Sequence, residues 1–296
     1  MRLMVTGASG FLGIPLCEYL RSKGHEVFEV WNAHRPPGPA KRGLKVDLTS
    51  RSAVDFLLGQ ALPDIIIHTA AFPNVDVCQR SPAEAFSVNA EATGIIASLA
   101  PGKVVYTSTD LVFDGQLGWY DENAQPSPPN VYGQSKLQGE AHVLRSGGTV
   151  LRLSLLIGRS RSHKLSFLDW LEARLARDET VPLFTDQYRT PVYVPVVCEA
   201  LEKLTHLPGR AGIFHLGGEQ RLNRWELAQK YFRYFPARQH LAKPVQTGDA
   251  ELTIRGADCS LRSDRLKSAL GISTGTMEEA FADLGPAKNL THRSSL

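Results

Sequence analysis

The chain has 296 residues, of which 43% are hydrophobic and 21% charged, with a formal net charge of +3. Such a composition belongs to a water-soluble globular protein long enough for one large core or two domains. Apart from small clusters at Lys41-Arg42 and Arg159–Arg161 the positive charges are scattered, which speaks against a nucleic-acid polymer or an anionic membrane as partner.

Four cysteines, Cys17, Cys78, Cys198 and Cys259, lie far apart, with no CxxC or Cys/His ligand spacing. That pattern implies reduced thiols, a cytoplasmic protein and no zinc site. The N-terminus runs straight into a strand-like segment, leaving no room for a signal peptide. No apolar run approaches the ~20 residues that cross a bilayer.

Arg2–Thr6 (RLMVT) reads as a buried strand, and Leu12, Leu16 and Leu20 follow at helical spacing. Pro15 falls in the first turns of that helix, where a missing amide costs least, and Gly24 ends it. Further strands are expected at His25–Trp31, Leu44–Val46, Ile65–Thr69, Lys103–Thr107 and Thr149–Ser154. Helices are expected between them at Ser52–Gln60, Pro82–Leu99 and Val131–Leu144. This alternation predicts an α/β, Rossmann-type doubly wound parallel sheet covered on both faces. After Leu155 the rhythm breaks. Helices at Leu165–Arg177, Val197–Thr205 and Trp225–Phe232 and a strand at Gly212–Leu216 suggest a smaller mixed lobe over 156–296, with segments returning to the main sheet. Residues 1–155 then form the dinucleotide-binding domain. Lys288–Leu296 has the polar look of a frayed tail.

The stretch Thr6-Gly7-Ala8-Ser9-Gly10-Phe11-Leu12-Gly13 follows the first strand and opens the first helix, as a dinucleotide fold requires. Gly7 and Gly10 permit a tight turn and close approach to a pyrophosphate. Gly13 permits tight helix packing, and the helix start at Phe11 and Leu12 supplies amide donors and a favourable dipole. An NAD site usually carries a carboxylate at the end of the second strand. Here the segment is Asn32-Ala33-His34-Arg35, so Arg35, with His34 or Arg42, is suited to a 2′-phosphate. NADPH is therefore expected over NADH.

Tyr132 and Lys136 in Asn130-Val131-Tyr132-Gly133-Gln134-Ser135-Lys136 are four residues apart and share a helical face. An ammonium beside a phenol lowers the phenol pKa. Thr109 stands at the carboxyl end of the fifth strand, where a parallel sheet presents its ligand site. The motifs TGASGFLG, STDLVFDG and VYGQSK, in this order, resemble the extended short-chain dehydrogenase/reductase family. The nearest likeness is to its dTDP-4-dehydrorhamnose reductase-like branch. VDLTS, HTAAFPNVD, SVNA, TDQYRTP and RGADCSL extend the likeness over nearly the whole chain.

The resemblance implies an NADPH-dependent reductase of a nucleotide-linked 4-keto sugar. Within it, Tyr132 would donate a proton to the substrate carbonyl, Lys136 would hold the nicotinamide ribose and keep the Tyr132 pKa low, and Thr109 would orient the carbonyl. Asp47 and Leu48 would flank the adenine, and Ala70 and Ala71 would line the cofactor path. Asp76, Asp110 and Arg189 are candidates for the sugar nucleotide, although Asp76 and Asp110 read equally as caps. Asn89 reads either as a site residue or as a structural tie. Two departures stand out. Leu155 occupies a position where an aromatic residue is expected against the sugar, and Pro15 replaces the glutamate of magnesium-dependent dimeric members. No metal is therefore expected, and a homodimer of another kind stays open.

Two other readings remain. One is an epimerase or dehydratase, against which Thr109-Asp110-Leu111 lacks the Asp-Glu pair that follows the threonine in dehydratases. The other is a non-catalytic NADP-binding subunit resembling the methionine adenosyltransferase β subunit.

Overall fold

The strand-like and helix-like runs of the first half become β1 (Arg2–Thr6), α1 (Gly13–Ser22), β2 (Glu26–Trp31), β3 (Gly43–Lys45), α2 (Arg51–Ala61) and β4 (Ile65–His68). They continue as α3 (Val75–Arg80), α4 (Pro82–Phe86), α5 (Ala92–Leu99), β5 (Val104–Thr109), α6 (Val131–Arg145) and β6 (Thr149–Leu153). The second half contains β7 (Leu156–Ile157), α7 (Phe167–Ala176), β8 (Val181–Phe184), β9 (Tyr188–Arg189), β10 (Val192–Tyr193), α8 (Val194–His206), β11 (Gly212–Leu216) and β12 (Leu222–Asn223). It closes with α9 (Arg224–Tyr234), β13 (Ala242–Val245), α10 (Asp264–Leu270) and α11 (Met277–Leu284). The structure, a computed structural model, describes residues 1–38, 42–249 and 254–285; Lys41 and the expected tail Lys288–Leu296 lie outside the described residues.

Seven strands form one parallel sheet in the order β11-β6-β5-β4-β1-β2-β3, the doubly wound arrangement with its switch point between β1 and β4. Alternation along each strand sends side chains to both faces. Leu3, Val5, Ile65 and Ile67 pack under α1 and α8, whereas Met4, Ile66, Val104 and Tyr106 pack under α2, α5 and α6. A third apolar cluster, with Leu171, Leu227, Tyr231 and Phe281, joins α7, α9 and α11. After that excursion the chain returns to the sheet, where β11 pairs with β6 from Gly212 opposite Thr149 to Leu216 opposite Leu153. No described helix is long and apolar enough to cross a membrane.

Two differences from the sequence reading bear on the site. Strand β5 runs on to Thr109, which places that residue at the strand's last position. The expected helix Pro82–Leu99 is interrupted by a π-helical segment, Ser87–Glu91. Its wide turn leaves the Asn89 carbonyl to accept hydrogen bonds from the hydroxyls of Tyr106 (3.0 Å) and Thr93 (2.8 Å), and single π turns of this kind recur at functional sites. The Asn89 side chain is a tie. It exchanges hydrogen bonds with the Phe72 backbone and donates to Ser135 Oγ at 3.0 Å, linking the loop after β4 to α6.

Candidate active site

The glycine loop is shaped first by the protein's own packing. Gly7 has φ +68°, and a Cβ there would lie 2.7 Å from the Ala70 amide nitrogen. A Cβ on Gly13 would lie 2.1 Å from the Gly7 carbonyl oxygen, so the third glycine packs α1 onto the loop itself. A Cβ on Gly10 would meet only the Gly7 carbonyl, at 3.1 Å. Leu12 at the N-cap of α1 supplies no side-chain cap, and no acid stands in the first turn. The Ile14 amide is taken by the Gly10 carbonyl at 3.2 Å and Pro15 has none, so the donors suited to an anion at this end are the amides of Phe11, Leu12 and Gly13. Ala70 and Ala71 lie half-buried in the segment that meets the loop.

At the end of β2, Arg35 is exposed with its guanidinium 5.9 Å from the centre of the Trp31 ring. The His34 ring lies against that of His163 at 4.0 Å, and Arg42 is paired with Glu26. Asp47, beyond β3, accepts from the Thr49 amide (2.9 Å) and hydroxyl (2.7 Å). The Thr49 hydroxyl, then its amide, hold that carboxyl below its ordinary range. Leu48 packs against the core on the α2 side.

Thr109, Asp110 and Tyr132 meet in one cavity of about 540 Å³ at the carboxyl end of β5. Asn130 caps α6 by accepting from the Gly133 amide at 2.9 Å, which fixes the turn that carries Tyr132. Gly133 is required here, because a Cβ would lie 2.2 Å from the Leu111 carbonyl oxygen. The absence of a side chain thus lets the first turn of α6 abut the segment after Thr109. Thr109 Oγ1 accepts from the Leu111 amide and donates to Asp110 Oδ1, each at 3.2 Å.

Lys136 sits one turn deeper, buried, with Nζ donating to the Thr107 carbonyl oxygen at 2.8 Å. Burial pushes its pKa down to about 7, against the pull of Glu140. The Tyr132 phenol is pushed up, by burial first and then by Asp110 and Cys78, with Thr109 opposing. This corrects the expectation that Lys136 lowers the Tyr132 pKa. In this geometry the ammonium is committed to a backbone carbonyl, and the phenol holds its proton at neutral pH.

The opposite wall is polar. Asp110 is buried, accepts from Ser154 Oγ at 3.0 Å and lies 3.4 Å from Arg189 Nε. Burial nonetheless raises its pKa. Arg189 also donates to the Gly256 carbonyl at 3.1 Å. Asp76, on α3, is paired with Arg255 at 2.7 Å. Asp76, Asp110 and Arg189 all line the cavity with the Thr109–Tyr132 pair, whereas Gly7, Arg35 and Asp47 belong to the loops that flank β1, β2 and β3.

The sequence reading missed Arg224. It opens α9 directly after its cap Asn223, and its guanidinium lies 4.8 Å from the Phe167 ring centre. Its Nη1 is buried with no hydrogen-bond partner among the described residues, and burial, then Arg189, push its pKa down to about 9. The capping pattern Asn223…Glu226 could have placed it at a helix start, though not in this cavity. Leu155 does line the cavity, and the aromatic surface expected in its place comes from Phe167, Trp170 and Phe184.

A model of the RmlD substrate binding domain family matches residues 1–286. The chain is 32% identical over 297 residues to a probable low-salt glycan biosynthesis reductase of Haloferax volcanii, covering 97% of this chain and 98% of that one. It is 32% identical over 235 residues to methionine adenosyltransferase 2 subunit beta of Danio rerio, covering 76% and 71%. Among solved structures, dTDP-4-dehydrorhamnose reductase of Bacillus anthracis in complex with NADP superposes with a TM-score of 0.84 at 26% identity, covering 96% and 98%. The glycine loop, the Thr109–Tyr132–Lys136 set and these matches lead to one conclusion: the chain belongs to the RmlD substrate binding domain family, within the extended short-chain dehydrogenases/reductases.

Proposed function

We propose that this chain, an oxidoreductase of that family, reduces the keto group of a nucleotide-linked 4-keto sugar with NADPH. The observation that carries the reading is the meeting of Thr109 and Tyr132 on one cavity wall, with Lys136 buried one helical turn behind. Residues 1–155 would hold the nicotinamide cofactor and the lobe within 156–296 the sugar nucleotide. The loop fits the cofactor: it combines the tight turn at Gly7, the small Gly10 and a helix end with uncapped amides. Arg35 would favour the 2′-phosphate of NADPH, and Asp47 and Leu48 would flank the adenine. Ala70 and Ala71 would line the path between them.

When bound, the nicotinamide supplies a hydride to the carbonyl carbon of the substrate. Negative charge then builds on the carbonyl oxygen, and a donor placed there acts more strongly in the transition state than in the ground state. Tyr132, protonated at neutral pH, gives its phenolic proton to that oxygen, which yields the alcohol. The Thr109 hydroxyl, which donates to Asp110 Oδ1 in the free chain, would exchange that bond for one to the same oxygen and so orient it. Lys136, charged below about pH 7, would hold the ribose hydroxyls. Arg224, Arg189 and Arg255 line the cavity and would serve as counter-charges for the diphosphate of a nucleotide sugar.

Oxidation of NADPH, followed by absorbance across a panel of nucleotide-linked 4-keto sugars, tests this. Turnover with at least one member is expected. The likeness to methionine adenosyltransferase 2 subunit beta favours a second reading, a nucleotide-binding subunit of a larger assembly. NADPH binding without turnover of any member of the panel would give that reading the lead.

A further inference from the structure

Away from the cavity, at the opposite, amino ends of the strands, three side chains converge that the reductase reading does not use. His25 directly precedes β2, at the amino end of the strands. Glu202 and His206 lie four residues apart near the end of α8, on one helical face. His25 Nε2 stands 3.2 Å from Glu202 Oε1, and His206 Nε2 stands 3.3 Å from the same oxygen. All three ligand atoms fall within 4.8 Å of one another, the one such group of three histidine, cysteine or carboxylate residues among the described residues.

We propose that His25, Glu202 and His206 form a peripheral site for a divalent transition-metal cation, zinc foremost, that clamps the end of α8 to the start of β2. Bond lengths of about 2.0–2.1 Å to imidazole nitrogen and carboxylate oxygen set tetrahedral ligand–ligand edges of about 3.3–3.4 Å. The two nitrogen–oxygen separations, 3.2 and 3.3 Å, lie within about 0.1 Å of that length. Two imidazoles and one carboxylate suit zinc and its borderline neighbours, with water as the fourth ligand, and do not suit magnesium or calcium.

The environment agrees with a site reached from one side. The His25 side chain is 6% exposed, Glu202 16% and His206 52%, so a cation enters past His206 onto two ligands held in place. His25 Nδ1 is buried with no hydrogen-bond partner among the described residues, so no acceptor there fixes its tautomer, which limits affinity. Closely spaced Cys and His residues do not mark this site in the sequence. The missing ligand here comes from 177 residues away.

Cobalt(II) titration of the purified full chain, read by visible absorption and followed by competition with zinc, tests the site. Saturable d–d bands displaced by one equivalent of zinc are expected. Glu202→Gln and His206→Ala should each weaken binding more than about tenfold, with circular dichroism and NADPH oxidation as in the parent. His163→Ala, which disrupts the other close histidine pair, His34 and His163, should leave it unchanged. Absence of saturable bands in the parent overturns the proposal. So does parental affinity in folded Glu202→Gln and His206→Ala proteins, or a loss confined to His163→Ala, which would place the cation at the other pair.

Discussion

Lys136 Nζ donates a 2.8 Å hydrogen bond to the carbonyl oxygen of Thr107, two residues before the strand-end Thr109. The same ammonium stands 4.0 Å from the centre of the Tyr106 ring. Strand β5 therefore positions Lys136 through its backbone and Thr109 through its side chain, and one register error would displace both. The burial that comes with this arrangement brings the Lys136 pKa to about 7, so its charge changes within the working range.

The ammonium is the form that attracts ribose oxygens, and it is lost as pH rises through the folded-state pKa. We expect kcat/KM to fall as pH rises through about 7 and to be level below it, until other groups titrate. A profile of kcat/KM for NADPH, together with NADPH affinity over the same range, checks this, because both report the cofactor-free chain. Lys136→Met should weaken both cofactor binding and turnover and abolish that limb. A limb that persists in folded Lys136→Met protein belongs to another group.

Cofactor choice rests on the end of β2. Arg35 is exposed, with its guanidinium near the Trp31 ring, and Arg42 is paired with Glu26. Arg35→Asp is expected to narrow or reverse a preference for NADPH over NADH without altering the fold. Fluorescence titration of both cofactors against both proteins measures it. Equal or tighter NADH binding by the parent would refute the assignment.

Glu140 and Arg152 form a fully buried ion pair, with Arg152 Nη2 2.7 Å from Glu140 Oε2 and Nε sharing both oxygens. Removing one partner strands the other charge. Glu140→Gln should cost about 3–5 kcal/mol of stability. Denaturant titration would show it, and the Glu140→Gln/Arg152→Met double variant should recover part of the loss. A single variant as stable as the parent would mean that the pair contributes nothing.

His68 is buried and neutral, between Thr6 Oγ1 at 2.6 Å and Thr93 Oγ1 at 3.0 Å. Thr93 donates to the Asn89 carbonyl, so His68 Nε2 donates to Thr93 and Nδ1 accepts from Thr6. Burial, then Lys136, lower its pKa from the ordinary 6.5 to about 3. A basic group with a folded-state pKa below its unfolded one contributes stability that is whole above about pH 6.5. That contribution is lost as pH falls towards 3, of order 3–5 kcal/mol in all. Thermal unfolding between about pH 7 and 4 should show the decline, and His68→Gln should flatten it relative to its own neutral-pH stability. An equally steep decline in His68→Gln would assign it elsewhere.

What could be read in the sequence follows from locality. The β-branched runs of β1, β4 and β5, the glycine loop and the Tyr132/Lys136 spacing each lie within a few residues, and period and capping chemistry make them visible. Helix α3 was missed because VDVCQR is short, carries little apolar periodicity and owes its start to the Asn74 cap. The break around Asn89 was missed because it depends on hydroxyls from Thr93 and from Tyr106 on another element. The arginine wall was beyond reach for the same reason: residues 110, 154, 189, 224 and 255 converge only in the folded chain. Within it, Arg189 and Asp110 were found through resemblance, and Arg224 was not found at all.

The central claim is that Tyr132 is the proton donor of a reductase, and Tyr132→Phe tests it most directly. The substitution keeps the ring against Val131 and its neighbours while removing the phenolic proton. With circular dichroism and NADPH affinity unchanged, single-turnover reduction of the best substrate from the panel should slow by about 10²–10⁴. A folded Tyr132→Phe protein that reduces the same substrate at nearly the parent rate would contradict the account.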